Sequence, residues 1–247
     1  MLLVLILAFA LLGSVVSLAF AGLVLLLPDR VHPVVLPCLV SYAIGTLLGA
    51  ALLGLVPHAL AGAPARVVTS MLLVGVLGFF ALEAALLFRH CHDDTCPSHG
   101  MAGPLILVGD ALHNFVDGVV ITAAFLASTP LGVSTSLAIV SHEVPQETGD
   151  FAILLHGGYS RAEALAYNLL SSLATLVGAL GAYWWREVMA PVLPHVMALA
   201  AASFLYIALA DLVPLVHHQS NRRSLRRHLP LMLAGVATIV LLHGGVS

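Results

Sequence analysis

Lysine is absent from this chain and charge of either sign is scarce. All nine basic residues are arginine, and charged residues fill only 9% of the 247 positions. A soluble domain carries roughly 25% charged residues, so water cannot be the solvent for most of this surface. Cysteine is almost missing as well: Cys38, Cys91 and Cys96 are too few and too scattered for a disulfide framework. The first charge is Asp29, so the start lacks the basic region of a cleavable leader, although Ala19-Phe20-Ala21 resembles a cleavage site. The opening segment is therefore expected to be retained as a helix. No phosphate-binding loop occurs, which argues against ATP-driven activity, and nothing points to nucleic acid or an organic cofactor.

What is present is apolar sequence, 60% of all residues with a mean hydropathy of +1.06. A helix needs about 20 apolar residues to cross the hydrocarbon core. Eight segments reach that length, at approximately 2–27, 34–57, 67–88, 102–127, 131–155, 163–185, 192–216 and 228–244. The fold class predicted is all-α, a single polytopic domain over 1–247 with eight transmembrane helices and short connections. Sorted by loop, Arg30, Arg89, Arg161, Arg222, Arg223, Arg226 and Arg227 fall on one face, and only Arg66 and Arg186 on the other. The positive-inside rule makes the first face cytoplasmic and both termini external. Gly45-x-x-x-Gly49 with Gly54, and Gly178 with Gly181, mark helices on which backbones can approach closely.

Charges at bilayer depth cost roughly 2.5–3.5 kcal/mol each on insertion scales, so they mark a site or a path. Here they are concentrated on spans four and five, expected to be kinked helices forming one site. Span four carries Asp110, His113, Asn114 and Asp117 at i, i+3, i+4 and i+7, on one helix face. Span five carries Glu143, Gln146, Glu147 and Asp150 by the same spacing, with His142 beside them. Imidazole, amide and carboxylate donors without thiolates suit a divalent transition metal that is bound and released. Facing carboxylates repel unless a cation or a proton lies between them. Pro145 removes a backbone donor within span five and frees a carbonyl near 141. The alternative, a proline kink with polar groups bridging helices, needs fewer convergent side chains than these.

Asp211, ahead of Pro214 on span seven, is a further pathway or gating candidate. Glu83 near Arg89 and His58 after Pro57 can be interfacial, and Asn168, Ser171 and Ser172 on span six read as interhelical hydrogen-bonding groups. The cytoplasmic loop 89–101 holds His90, Cys91, His92, Asp93, Asp94, Cys96 and His99, a metal-binding composition without the spacing of a closed zinc module. His217, His218 and His228 flank the arginine-rich loop on the same face.

His113-Asn114-Phe115-Val116-Asp117-Gly118 and His142-Glu143-Val144-Pro145-Gln146-Glu147-Thr148-Gly149-Asp150 resemble the paired signatures of the ZIP (zinc- and iron-regulated-transporter-like) metal transporters. The resemblance extends over eight spans to Phe204-Leu-Tyr-Ile-Ala-Leu-Ala-Asp211. It implies a two-metal site between spans four and five, with His113, Asn114, Asp117, His142, Glu143, Gln146 and Glu147 as ligands or close neighbours. Asp150 ends the motif, and Asp110 and Asp211 are added as pathway groups. It also implies zinc as substrate, with cadmium, iron and manganese left open, uptake into the cytosol across the cell membrane, and a homodimer in the bilayer. There are departures. Gln146 stands where many relatives have His and others Glu, and Thr175 where some bring a carboxylate. Gly54, Pro57 and His58 replace a His, Pro and acidic residue on span two.

Two other functions compete. An intramembrane zinc protease needs His-Glu-x-x-His on one helix; His142-Glu143-Val-Pro145-Gln146 lacks the second His and has a proline in that turn, so no enzyme is expected. A proton-coupled exporter also uses a pair such as His113-x-x-x-Asp117, but typically with six spans and a cytosolic domain after the last. The arginine sorting has a direct test. A cysteine placed between Gly62 and Arg66 should react with an impermeant thiol reagent on intact cells, and Cys91 should not; labelling of Cys91 would invert the topology.

Overall fold

The computed structural model describes residues 1–28, 30–88, 102–156, 158–218 and 222–244, and among them every regular element is helical. α1 (Leu2–Leu26) is followed by α2 (His32–Gly49), which passes through a π-helical turn (Ala50–Leu55) into α3 (Val56–Gly62). Next come α4 (Ala65–Phe88), α5 (Ala102–Ala127) and α6 (Thr129–His156). α7 (Arg161–Ser172) and α8 (Ala174–Trp184) form one rod interrupted at Leu173. After α9 (Arg186–Met189), α10 (Leu193–Tyr206) runs through a second π-helical turn (Ile207–Leu212) into α11 (Val213–His218), and α12 (Arg222–Gly244) closes the chain. These join into eight rods among the described residues, in the order the hydropathy predicts, and the molecule is a polytopic all-α membrane protein. Five stretches are long and apolar enough to cross a bilayer: Leu2–Val24, Pro33–Gly62, Leu107–Ala127, Arg161–Trp184 and Arg186–Val216. The loop candidates at 89–101 lie outside the described residues.

Both π-helical turns stand just ahead of a proline, Pro57 in one case and Pro214 in the other. A proline ring clashes with the carbonyl four residues back and leaves it without a donor. Widening the turn to i→i+5 bonding absorbs that conflict without breaking the helix. Pro145 is handled differently, because α6 continues through it as regular helix. The arginine-rich segment also departs from expectation. Hydropathy starts the last span at 228, yet α12 already begins at Arg222. Arginine is a good helix former, and its long side chain can reach the interface from a helix end.

α5 lies along α6 on one side and along α8 on another, while α12 lies along α2 and α10 along α4. Close approach is set by glycine at two of these seams. A Cβ at Gly118 would overlap the Thr175 carbonyl, and one at Gly178 would overlap that of Phe115, so each α5–α8 partner has a glycine against the other's backbone. At the α2–α12 seam Gly45 meets the Met232 carbonyl and Gly235 meets that of Tyr42. Of the sequence candidates, Gly49 meets the Ile239 side chain, at 3.2 Å, and Gly181 has only the Trp185 ring, at 4.0 Å. Overpacking a tight contact costs about 1–3 kcal/mol. Gly178→Ala should therefore lower the thermal midpoint of the detergent-purified protein clearly, and Gly181→Ala should leave it nearly unchanged; equal midpoints would show that the α5–α8 seam tolerates a methyl group.

Candidate metal centre

His113 and Asp117 stand one turn apart on α5, and His142 and Glu143 are consecutive on α6. Their side chains converge. His113 Nε2 lies 3.0 Å from His142 Nε2, 3.4 Å from Glu143 Oε1 and 3.7 Å from Asp117 Oδ2. His142 Nε2 lies 3.4 Å from Asp117 Oδ2 and 3.6 Å from Glu143 Oε1. A tetrahedron with zinc–nitrogen and zinc–oxygen bonds of ~2.0–2.2 Å has edges of roughly 3.3–3.6 Å. The five separations, 3.0–3.7 Å, bracket that range, and all four donors lie within 4.8 Å of one another, so a divalent ion fits between them with small adjustments.

Satisfaction of polar atoms points the same way. Asp117 Oδ2 and Glu143 Oε1 are buried and have no hydrogen-bond partner, an arrangement that costs several kcal/mol unless a cation or proton compensates it. The His142 Nδ1–H donates to the Ala138 carbonyl at 3.1 Å, which leaves the Nε2 lone pair free and aimed at the centre. Phe204 of α10 packs edge-on against the His142 ring, with centroids 6.1 Å apart, and is itself fully buried. With two neutral imidazoles and two carboxylates, the centre and a divalent cation together carry no net charge. That is the condition for holding an ion cheaply where the dielectric is low.

The other expected site residues lie outside this group of four. On α5, Asn114 donates to Asp110 Oδ1 at 3.1 Å and accepts from the Thr175 hydroxyl at 2.8 Å. On α6, Gln146 also donates to Asp110 Oδ1, at 2.9 Å, across the α5–α6 seam. Glu147 is fully buried and its Oε1 accepts from the Ser172 hydroxyl at 2.7 Å. Asp150 is half-buried one turn further on. Asp211 sits on the second π-helical turn with an exposed side chain, outside the cluster. His228 is buried against Ser41, its Nδ1 2.7 Å from the hydroxyl, and so ties α12 to α2. Thr175 and Phe204 are neighbours of the centre that periodicity does not single out, because their helices carry no polar stripe of charges.

A family model described as "ZIP Zinc transporter" matches residues 88–243. The "Zinc transporter ZIP10" of Danio rerio is 39% identical over 142 residues, 54% of this chain and 16% of the relative. The "Zinc transporter ZIP4" of Homo sapiens is 46% identical over 115 residues, 44% of this chain and 17% of the relative. The "Zinc transporter ZIP13" of Pongo abelii is 34% identical over 223 residues, 82% of this chain and 65% of the relative. The chain thus spans about a sixth of the two longer relatives and just under two thirds of the third.

The four-donor geometry makes a spectroscopic expectation. Zinc added to the purified protein should give an X-ray absorption spectrum with four nitrogen or oxygen neighbours at ~2.0–2.1 Å, imidazole scattering and no sulfur shell. A sulfur contribution would place the tightest zinc on cysteine and away from these helices.

Proposed function

The chain belongs to the ZIP zinc transporter family, and from that premise we propose that it carries a divalent transition metal, zinc foremost, across the membrane into the cytosol through the centre between α5 and α6. The observation that supports this most is the convergence of His113, Asp117, His142 and Glu143, two of whose buried carboxylate oxygens have no other partner. An ion entering the bilayer must exchange its water for protein donors, and these four supply that exchange while cancelling its charge. Imidazole favours zinc and its neighbours over magnesium or calcium, and the two carboxylates keep the site open to cadmium, iron or manganese.

Release matters as much as binding, since an ion must leave as readily as it enters. The centre holds no thiolate among the described residues, and oxygen donors exchange quickly. Asn114, Gln146, Glu147 and Asp110 continue the polar surface along α5 and α6 toward the arginine-rich face, so a cation displaced from the centre meets oxygen donors in that direction. The two-metal arrangement implied by the resemblance has its second position along this surface. The inward direction rests on the arginine asymmetry, which puts that face in the cytosol and both termini outside. The homodimer and the cell membrane as location rest on the resemblance. The loop 89–101 is proposed as a receiving site for the arriving ion.

Zinc uptake into proteoliposomes tests the whole reading. His142→Ala, Asp117→Ala or Glu143→Ala should each reduce uptake by about tenfold or more, because no neighbour duplicates the lost donor and losing one side of a buried charged cluster costs about 3–5 kcal/mol. The variants should remain inserted and monodisperse. Wild-type uptake in all three would remove the α5–α6 centre from the path. Zinc-driven proton release from the lumen, with outward zinc movement only, would favour the exporter.

A further inference from the structure

A side-chain amide has two unlike ends. Its nitrogen only donates and its oxygen only accepts, so an Asn or Gln beside a cation helps or harms according to how it is turned. Two such amides adjoin the four-donor centre. Asn114 follows His113 on α5, and Gln146 stands one turn beyond His142 on α6.

Asp110, 4% exposed and outside the group of four, decides how both are turned. Its Oδ1 accepts from Asn114 Nδ2 at 3.1 Å and, across the α5–α6 seam, from Gln146 Nε2 at 2.9 Å. An ionised carboxylate offers no proton, so each amide must give it the nitrogen end. Asn114 is held by more than this carboxylate. Its Nδ2 also reaches the Asp110 carbonyl at 3.2 Å, and its Oδ1 accepts from the Thr175 hydroxyl at 2.8 Å, so α8 supplies a third wall. Gln146 has no such second hold. Among the described residues Asp110 is the only hydrogen-bond partner of its side chain. The donors therefore run from Thr175 through Asn114 to Asp110, and from Gln146 to the same oxygen. With the Gln146 nitrogen committed, its oxygen is the end left for a cation.

We propose that Asp110 is a positioning residue for Gln146, holding the amide so that its oxygen and not its nitrogen meets the ion passing the α5–α6 centre. The inference rests on the transport reading above and deepens it, because it gives Asp110 a task other than binding the ion. A charge in the path must remain a charge to act, whereas an orienting group needs only an acceptor of the same shape. Asparagine provides one. Its Oδ1 can take both amides, and its Nδ2 would replace Asp110 Oδ2, an atom that is already buried without a partner.

The test is zinc uptake into proteoliposomes by the full chain, read separately as KM and maximal rate. Asp110→Ala should raise KM by about tenfold, as expected when one buried hydrogen bond to a charged group is lost. Asp110→Asn should stay within about threefold of wild type, since the bonds it keeps are neutral and weaker. Misfolding would lower the maximal rate and leave KM alone, so a KM effect with a maximal rate within about twofold separates orientation from damage. Gln146→Leu should raise KM as Asp110→Ala does, and the double variant should be no worse than either, because both remove the same oriented oxygen. If Asp110→Asn were as harmful as Asp110→Ala, the charge would be what acts and the proposal would fall. Additive losses in the double variant would overturn it too. Wild-type vesicles that took up no zinc would sink the transport reading instead. The pairing would then be judged by the thermal midpoints of the same four zinc-free proteins in detergent, where additive losses would overturn it and non-additive ones would uphold it.

Discussion

His113 and His142 meet across the α5–α6 seam with their Nε2 atoms 3.0 Å apart, and that meeting draws buried carboxylates from both helices into one place. Two helices carrying buried carboxylates at bilayer depth would repel. Bringing them together is favourable only if a cation or protons offset the charge and the remaining polar atoms find partners. The structure meets the second condition with side chains from a third rod, Thr175 on Asn114 and Ser172 on Glu147. The first condition is where the proposed function enters, because four donors that are costly when bare would be neutral with a divalent cation between them.

Close backbone contact makes this third wall possible. Gly118 and Gly178 let α5 and α8 approach until each glycine abuts the other helix's carbonyl, which brings the short side chain of Thr175 within reach of Asn114. In a lipid environment packing of this kind, rather than apolar burial, holds helices together. The α2–α12 pair repeats the device with Gly45 and Gly235. The prolines that would interrupt the long rods are accommodated by π-helical turns next to Pro57 and Pro214, in the two rods that lie outside the α5–α6 pair. Irregular turns of this type recur at functional sites, and Asp211 lies within one of them.

A membrane fold with eight helical rods was legible in the chain itself, since hydropathy and length report directly on what a bilayer accepts. So were the two polar helices, because a 3.6-residue period assigns residues to a face without knowledge of any neighbour. The paired signatures carried the family. The tertiary structure decided the rest. On α6 the sequence offers one broad polar face from His142 to Asp150, but periodicity cannot say how that face divides among neighbours. Packing divides it into two rows: His142 and Gln146 look to α5, while Glu147 looks to α7. Glu143 stands between them and is drawn into the four-donor centre, and Gln146 is drawn to Asp110. Ser172, readable in the chain only as a hydrogen-bonding group, became part of the polar interior for the same reason. A sequence specifies which side chains share a face, but the register and distance between helices, set here by glycine contacts far along the chain, determine which of those side chains meet.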